Sequence, residues 1–232
     1  MKDIPVVILK AGRSEQAAAL ALSHSGAIAG NDAAYRALFD RHGVSRVETL
    51  DELAATLLLF AQGRAVAPGG LAVIGDSGGE REMIIDVAAD LAVPFAQIGP
   101  ATVERLRGRL EFGLEPVNPL DAWGTGRDFV NLFADCFTAL MDDPDTGLGI
   151  FFSDLRANYY LHDGFAEAAR LTASRTGKPV AYATNYSQVR HDGIALQLTE
   201  AGVPVLARAA RQRFRQQRER EYSLQAARGA VF

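Results

Sequence analysis

The 232-residue sequence contains a single cysteine, Cys136. An internal disulfide is therefore excluded, and a reducing, cytoplasmic location is expected. We interpret Cys136 as a small buried hydrophobic residue. No stretch approaches the ~18 apolar residues that a membrane-spanning helix needs. Residues 1–3 (Met-Lys-Asp) are followed at once by a strand-like run, which does not fit a signal peptide.

An excess of positive charge is also missing, since the formal net charge is −4. This balance argues against a nucleic-acid partner. Basic residues do cluster near the end of the sequence, at Arg208, Arg211, Arg213, Arg215, Arg218 and Arg220. Their alternation with Gln and Glu is typical of a solvated helix face, and the alternative is a linker that docks on a partner domain.

The histidine and acidic residues also lack the spacing that is typical of a metal site. His162 and His191 stand far apart in the sequence, and the acidic residues Asp142, Asp143 and Asp145 have no histidine or cysteine at a suitable spacing. We interpret all five as surface or structural residues, and His42 as a residue that favours the carboxyl end of its helix.

Short apolar runs alternate with longer amphipathic segments. Runs without polar alternation predict strands buried on both faces of a parallel sheet, at 6–9, 71–74, 148–152 and 179–182. Apolar residues at helical spacing predict helices over 50–58, 83–91 and 129–137. At 176–180 and 201–205, a glycine that ends a helix precedes a proline that enters a strand. This order predicts a doubly wound α/β fold with a parallel sheet.

A domain boundary is expected near Gly63 to Gly70, where the helical pattern breaks. Before it, only 6–9 and 44–47 are strand candidates, and two strands do not make an independent parallel sheet. We therefore expect residues 1–64 to be the carboxyl-terminal part of one domain. Residues 65–210 would form a whole α/β domain, and residues 211–232 a basic helical tail or linker.

The most informative segment is residues 23–30 (Ser-His-Ser-Gly-Ala-Ile-Ala-Gly), preceded at 10–14 by Lys-Ala-Gly-Arg-Ser. We expect His24 on a loop among small residues, where Ser23, Ser25 and Gly26 leave space and offer donors to a phosphoryl group. Neutral imidazole is a good nucleophile, with an ordinary pKa near ~6.5. Asn31 or Asp32 can cap the next helix. Taken alone, the histidine would be interpreted as structural.

These two strings resemble the phosphohistidine segment of NDP-forming acyl-CoA synthetases, relatives of succinyl-CoA synthetase. The similarity continues through 76–79 (Asp-Ser-Gly-Gly) and 118–121 (Asn-Pro-Leu-Asp) and spans roughly residues 4–207. The resemblance implies flavodoxin-like domains and an acid–thiol ligase that interconverts acyl-CoA, ADP and phosphate with carboxylic acid, CoA and ATP. It implies that His24 carries the phosphoryl group.

The glycine-rich turn at 76–79 lies between a predicted strand and a predicted helix. Backbone N–H groups and the helix start favour an anion there. The resemblance implies that Ser77, Gly78 and Gly79 hold the phosphate on the histidine. Glu80-Arg81-Glu82 departs from the family pattern and leaves a turn without ligand as the alternative.

Residues 118–121 favour a rigid turn around a proline. The resemblance implies that Asn118 and Asp121 lie at the edge of the active site, whereas a turn alone is the alternative. We interpret Trp123 as a packing residue.

The family also needs CoA-binding and ATP-grasp domains or subunits, and CoA, ATP or ADP and Mg²⁺ would bind mainly there. The expected substrate is a small carboxylic acid or its acyl-CoA, and self-association is a further possibility. Two other functions stay open: a non-catalytic CoA-binding or regulatory module, and the sensing part of a protein acetyltransferase.

Overall fold

The computed structural model of the protein describes residues 4–25, 30–184 and 191–207. The helices and strands are β1 (Val7–Leu9), α1 (Glu15–Ser25), α2 (Asp32–His42), β2 (Ser45–Val47), α3 (Leu50–Ala61), β3 (Gly70–Gly75), α4 (Gly78–Asp90), α5 (Pro100–Arg107), β4 (Leu120–Asp121), α6 (Phe129–Asp142), β5 (Thr146–Phe152), α7 (His162–Arg175), β6 (Val180–Thr184), α8 (Asp192–Glu200) and β7 (Val205–Ala207). They form two compact units, and the division falls within α3, between Leu57 and Leu58.

The first unit contains a two-stranded parallel sheet. Strand β1 pairs with β2 so that Val7 lies opposite Ser45 and Leu9 opposite Val47. The two strands are those expected from the apolar runs. Among the described residues no further strand joins them.

Both helices that flank β2 have defined ends. The side chain of Asn31 caps α2 by accepting hydrogen bonds from two backbone N–H groups, and Gly43 ends it in a left-handed conformation (φ 63°). At the start of α3, the Thr49 hydroxyl accepts from the backbone N–H of Glu52 at 3.1 Å. The prediction that Asn31 or Asp32 caps a helix is thereby confirmed for Asn31.

The second unit is a five-stranded parallel sheet in the order β4-β3-β5-β6-β7. Numbered within the unit, this is the flavodoxin-like order 2-1-3-4-5. The doubly wound fold predicted from the apolar runs is confirmed. Strand β4 was not predicted, because only two residues, Leu120 and Asp121, pair with the end of β3.

Aromatic side chains fill the core between the sheet and helices α6 and α7. Phe133, Phe151 and Phe165 are fully buried and contact one another, with ring centroids between 5.1 and 5.6 Å apart. Trp123 packs against this group, 6.1 Å from Phe165 and 6.5 Å from Phe133, as its interpretation as a packing residue requires. Cys136 is fully buried on α6, as expected.

The opening segment of the second unit contacts its closing elements. Arg64 donates hydrogen bonds to the backbone oxygens of Lys178 (3.2 Å) and Ala173 (2.9 Å). The side-chain amide nitrogen of Gln62 is positioned to donate to the carbonyls of Gly202 and Val180, at 2.9 and 3.2 Å. The chain therefore enters this unit next to the place where it leaves.

The two helix-to-strand junctions differ in detail. Helix α8 ends at Glu200, and Gly202 follows with φ 82°, as expected from its sequence. Helix α7 ends at Arg175, and its C-cap Thr176 is extended. The expectation that Gly177 ends that helix is therefore wrong, because the extended residue has already redirected the chain.

Candidate functional site

The start of α4 follows the carboxyl end of β3, whose neighbour in the sheet is β5. The sheet order reverses between these two strands, which is where open α/β sheets bind ligands. Ser77 is the N-cap of α4, and its hydroxyl accepts from the backbone N–H of Glu80 at 3.4 Å. A Cβ atom added at Gly79 would meet only the Ser77 hydroxyl, at 4.0 Å. The first turn of α4 therefore has room for an anion beside its backbone N–H groups.

Asp76, one residue before this cap, belongs to a buried polar group. The Tyr159 hydroxyl donates to its Oδ2 at 3.3 Å, and the fully buried Ser153 lies beside it. Burial raises the pKa of Asp76, although contacts with Ser153 and Tyr159 partly oppose this shift. Burial and the charge of Asp76 also raise the pKa of Tyr159. Asp76 is thus held closer to its neutral form than an exposed aspartate.

Asp154 follows β5 and adds a second carboxyl group to this edge of the sheet. Its Oδ2 lies 3.5 Å from Nε of Arg156, and its Oδ1 is buried without a hydrogen-bond partner. Burial raises the pKa of Asp154, and the charge of Arg156 opposes that effect. The Arg156 guanidinium also stacks over the ring of Tyr159, 5.1 Å from its centroid.

Buried polar side-chain atoms without a hydrogen-bond partner occur near the carboxyl end of β5 in the second unit. Among the described residues of that unit they include Ser153 Oγ and Asp154 Oδ1, which follow β5, and Tyr182 Oη on the neighbouring strand β6. His162 Nδ1 also lacks a hydrogen bond, but it lies 3.1 Å from the Asp163 carboxylate. Buried polar groups without partners are rare and concentrate where a ligand or water completes the structure.

Asp121 and Asn118 have different surroundings. The Asp121 carboxylate accepts from the backbone N–H of Trp123 at 3.1 Å, and its Oδ2 would lie 3.4 Å from a Cβ on Gly78. It therefore borders the start of α4. The Asn118 side chain instead accepts from the N–H of Val73 and donates to the carbonyls of Leu71 and Ala96. Its amide is used to join β3 to neighbouring backbone.

In the first unit, His24 and Ser25 lie in the last turn of α1. The expectation of a loop at His24 is wrong for the backbone, because the alanine- and leucine-rich run before it favours a helix that continues to Ser25. Ser23 donates its hydroxyl hydrogen to the carbonyl of Leu20 at 2.9 Å, and is exposed. Gly26 lies outside the described residues, as do 27–29.

A polar cluster surrounds the start of α2 in the same unit. Arg46 donates two hydrogen bonds to Asp32, at 3.1 and 2.8 Å, and Lys10 Nζ lies 3.7 Å from the same carboxylate. The hydrogen bond from Arg46 lowers the pKa of Asp32. Lys10 also lies over the ring of Tyr35, 4.7 Å from its centroid. These contacts fix the strand–helix turn that follows β1.

Other titratable residues have structural roles. The Asp143 carboxylate is buried and accepts from Thr102 Oγ1 at 2.6 Å and from the N–H groups of Gly99 and Asp145 at 2.8 and 3.0 Å. His191 caps α8, and its ring lies 4.9 Å from that of His162. Within the described ranges no group of three or more His, Cys, Asp or Glu side chains could hold a metal ion.

A surface depression between α5, α6 and α7 is a weaker candidate. It is lined by Arg105, Arg109, Asp135, Thr138, Ala139 and Arg175. Its arginines are already engaged, because Arg109 and Arg175 share Asp135 at 2.9 and 3.0 Å, and Arg105 pairs with Asp142 at 2.9 Å. An anionic ligand would have to displace these carboxylates.

Residues 1–60 match the succinyl-CoA ligase like flavodoxin domain. The chain is 37% identical over 120 residues to ADP-forming acetate–CoA ligase I of Archaeoglobus fulgidus, covering 52% of this chain and 17% of that protein. It is 32% identical over 151 residues to the alpha subunit of ADP-forming acetate–CoA ligase II of Pyrococcus furiosus, covering 63% and 32%. The chain thus spans about a third or less of the length of these relatives.

A solved structure has the same fold. The apo form of dinucleotide forming acetyl-coenzyme A synthetase 1 from Ca. Korarchaeum cryptofilum superposes with a TM-score of 0.76 at 18% identity, over 96% of this chain and 49% of that one. That enzyme has also been solved in complex with phosphate and ADP. The resemblance noted in the sequence is confirmed as a similarity to ADP-forming acyl-CoA ligases, and the second unit has the flavodoxin-like sheet order. No described helix is long and apolar enough to span a bilayer.

Sequence reasoning assigned no individual role to Asp76, Ser153, Asp154 or Tyr159, although Asp76 stands in the 76–79 string. A signal existed for the first three, since they directly follow runs predicted to be parallel strands, whose carboxyl ends line ligand sites. Tyr159 had no such signal, because it approaches Asp76 across 83 positions of sequence.

Proposed function

We propose that this chain is the phosphohistidine-bearing part of an NDP-forming acyl-CoA synthetase, with His24 as the phosphoryl carrier. The reaction would interconvert acyl-CoA, ADP and phosphate with a carboxylic acid, CoA and ATP, in the cytoplasm. One observation carries the proposal: the Ser77-capped, glycine-rich start of α4 opens at the ligand-binding edge of the sheet, in a relative of ADP-forming ligases.

The backbone N–H groups of the first turn of α4 suit a phosphoryl group. Helix geometry gives them no carbonyl partner in a preceding turn, although the Ser77 hydroxyl accepts from that of Glu80, and the helix dipole adds partial positive charge. Ser77, Gly78 and Gly79 would position the phosphoryl group. On the first unit, Ser23, Ser25 and Gly26 would flank the histidine, and a neutral imidazole would accept the phosphoryl group and return it in a later step.

The other reactants would be bound mainly by CoA-binding and ATP-grasp domains or subunits outside this chain. Mg²⁺ would be held mainly there as well. We assign Asp121 to the edge of the phosphoryl site. For Asn118 we propose a supporting role through β3, because its amide is used by backbone groups.

Phosphohistidine formation tests this proposal directly. The chain is mixed with an ATP-grasp subunit and ATP labelled at the γ-phosphate, and acid-labile, base-stable label on the chain is measured. We expect label on the native chain and none on His24→Ala. The matched control, His42→Ala, changes a histidine at the end of α2 and should keep the label. Label that persists in His24→Ala contradicts the assignment.

A second candidate function is a non-catalytic binding module. The carboxyl groups of Asp76, Asp121 and Asp154 around the start of α4 favour it, because uncompensated negative charge weakens anion binding. A native chain that takes up no label while an intact ADP-forming ligase does so under the same conditions would support this alternative.

A further inference from the structure

The start of α4 combines an anion-binding geometry with negative charge, and this inference rests on the phosphoryl site proposed above. The Asp76 carboxyl lies one residue before the N-cap, and the Asp121 carboxylate borders Gly78. Asp154 is near enough to raise the pKa of Asp76 by its charge. A phosphoryl group cannot dock beside ionised carboxylates without a compensating positive charge or a proton.

Ser153 gives independent support for a ligand at this edge. It is 0% exposed, and its hydroxyl makes no hydrogen bond of normal geometry. It lies close enough to the Asp76 carboxyl to favour the ionised form of that group. A fully buried hydroxyl next to a half-buried carboxyl forms part of a built polar site and not of a solvated turn.

Of the two carboxyl groups whose pKa burial raises, Asp76 is the better placed to become neutral, because Asp154 has a guanidinium 3.5 Å away. A divalent cation that arrives with the anion is the alternative compensation.

The groups that act on Asp76 come from several elements. Ser153 and Asp154 after β5 and Tyr159 before α7 act on it directly. Asp76 and Glu80 of α4 both act on Tyr182 of β6, Arg156 lies over the ring of Tyr159, and Asp121 on β4 borders Gly78. Arg156 is engaged by Asp154 and Tyr159, so it is not free to neutralise Asp76.

We propose that Asp76 is a positioning residue that becomes protonated when an anion docks at the start of α4, so that docking takes up one proton from solvent. The neutral carboxyl removes the repulsion, and the proton returns to solvent when the anion leaves. A phosphoryl group would therefore be held more tightly at lower pH.

The experiment uses the full 232-residue chain and sulfate, whose charge stays constant where carboxyl groups titrate. Affinity is measured by calorimetry between about pH 5 and about pH 8, in two buffers of different ionisation enthalpy, which gives the number of protons taken up. At pH values above the pKa of Asp76, the affinity for sulfate should fall about tenfold for each further pH unit. The Asp76→Asn side chain is neutral and nearly isosteric with aspartate. The affinity of this variant for sulfate should not show that pH dependence, and residue 76 should take up no proton on binding.

Tyr159→Phe separates this role from a merely structural one. The tyrosine hydroxyl favours the ionised carboxylate, so its removal should raise the pKa of Asp76. The loss of sulfate affinity should therefore begin at a higher pH in this variant. Equal pH slopes in the native chain and Asp76→Asn would overturn the inference. So would loss of sulfate binding by Asp76→Asn at every pH, because an ionised carboxylate would then be needed.

Gly79→Asp distinguishes failure of the inference from failure of the proposed site. An acidic residue in the first turn is compatible with the helix but repels an anion there. Sulfate binding that Gly79→Asp leaves unchanged, or no binding by the native chain, would overturn the phosphoryl site and this inference with it. A different result would overturn this inference alone. In that case Gly79→Asp abolishes sulfate binding, but the native chain takes up no more protons on binding than Asp76→Asn does.

Discussion

Replacing Asn118 by alanine should destabilise the second unit without any ligand being present. The side chain joins β3 to the backbone around Ala96 through three hydrogen bonds, from Val73 N–H at 2.9 Å and to the carbonyls of Leu71 at 2.8 Å and Ala96 at 3.0 Å. All three partner residues are buried. The substitution leaves these backbone groups with fewer partners in a dry environment.

The size of the effect follows from which groups lose their only partner. The Val73 N–H would be buried and unsatisfied, at a cost of ~1–3 kcal/mol. The Leu71 carbonyl still accepts from the N–H of Ala96 at 3.0 Å, so its loss is smaller. With about 0.5–1 kcal/mol for each lost carbonyl bond, the total is about 3 kcal/mol. For a domain of this size that corresponds to a fall in Tm of about 6–12 °C.

The assay is thermal and urea unfolding followed by fluorescence. The only tryptophan, Trp123, lies against the aromatic core of the second unit and reports on that unit. Asn131→Ala is the matched control, because its amide makes one exposed contact with Asp128 and its loss should cost under about 0.5 kcal/mol. A loss below about 1 kcal/mol in Asn118→Ala would refute the structural role and return Asn118 to the candidate ligand contacts.

Two further predictions concern titrating groups. Burial alone would raise the pKa of Asp143, but hydrogen bonds from Thr102 and the Gly99 N–H hold it below 3.8. Its stabilising effect is therefore complete above that ordinary value and is lost as pH falls through the lower folded-state pKa. Asp143→Asn should flatten the acid side of the curve of unfolding free energy against pH, and an unchanged slope in urea titrations would contradict this. Burial raises the pKa of Cys136 to about 12. The thiol should therefore resist iodoacetamide at about pH 8 in the folded chain and react in denaturant, and rapid labelling of the folded chain would show that the site opens.

Much of the fold could be predicted because its strands are buried on both faces. The apolar runs at 71–74 and 148–152 lie within β3 and β5, and the proline-entered run at 179–182 overlaps β6. Strand β4 could not be predicted, since two residues leave no periodicity to detect. The backbone of His24 was expected in a loop because small residues suggested a turn, but local helix propensity extends α1 to Ser25.

Part of the candidate site could also be predicted from the sequence. A glycine-rich string after a predicted strand identified the start of α4 from local sequence alone. The Asp76–Tyr159 contact and the burial of Ser153 depend on how distant segments pack, and no pattern within a short window carries that information. The use of the Asn118 amide by backbone groups is likewise a property of the assembled sheet.

The hydrogen bonds of Gln62 and Arg64 have a consequence for how this unit could be rearranged by gene fusion. They hold the entry of the unit against Gly202 and β6, close to its exit. A folded body whose two connections emerge side by side tolerates insertion into a host polypeptide, and circular permutation, with little strain. Multidomain enzymes could therefore carry this unit at different positions along their chains while its internal sheet order stays the same.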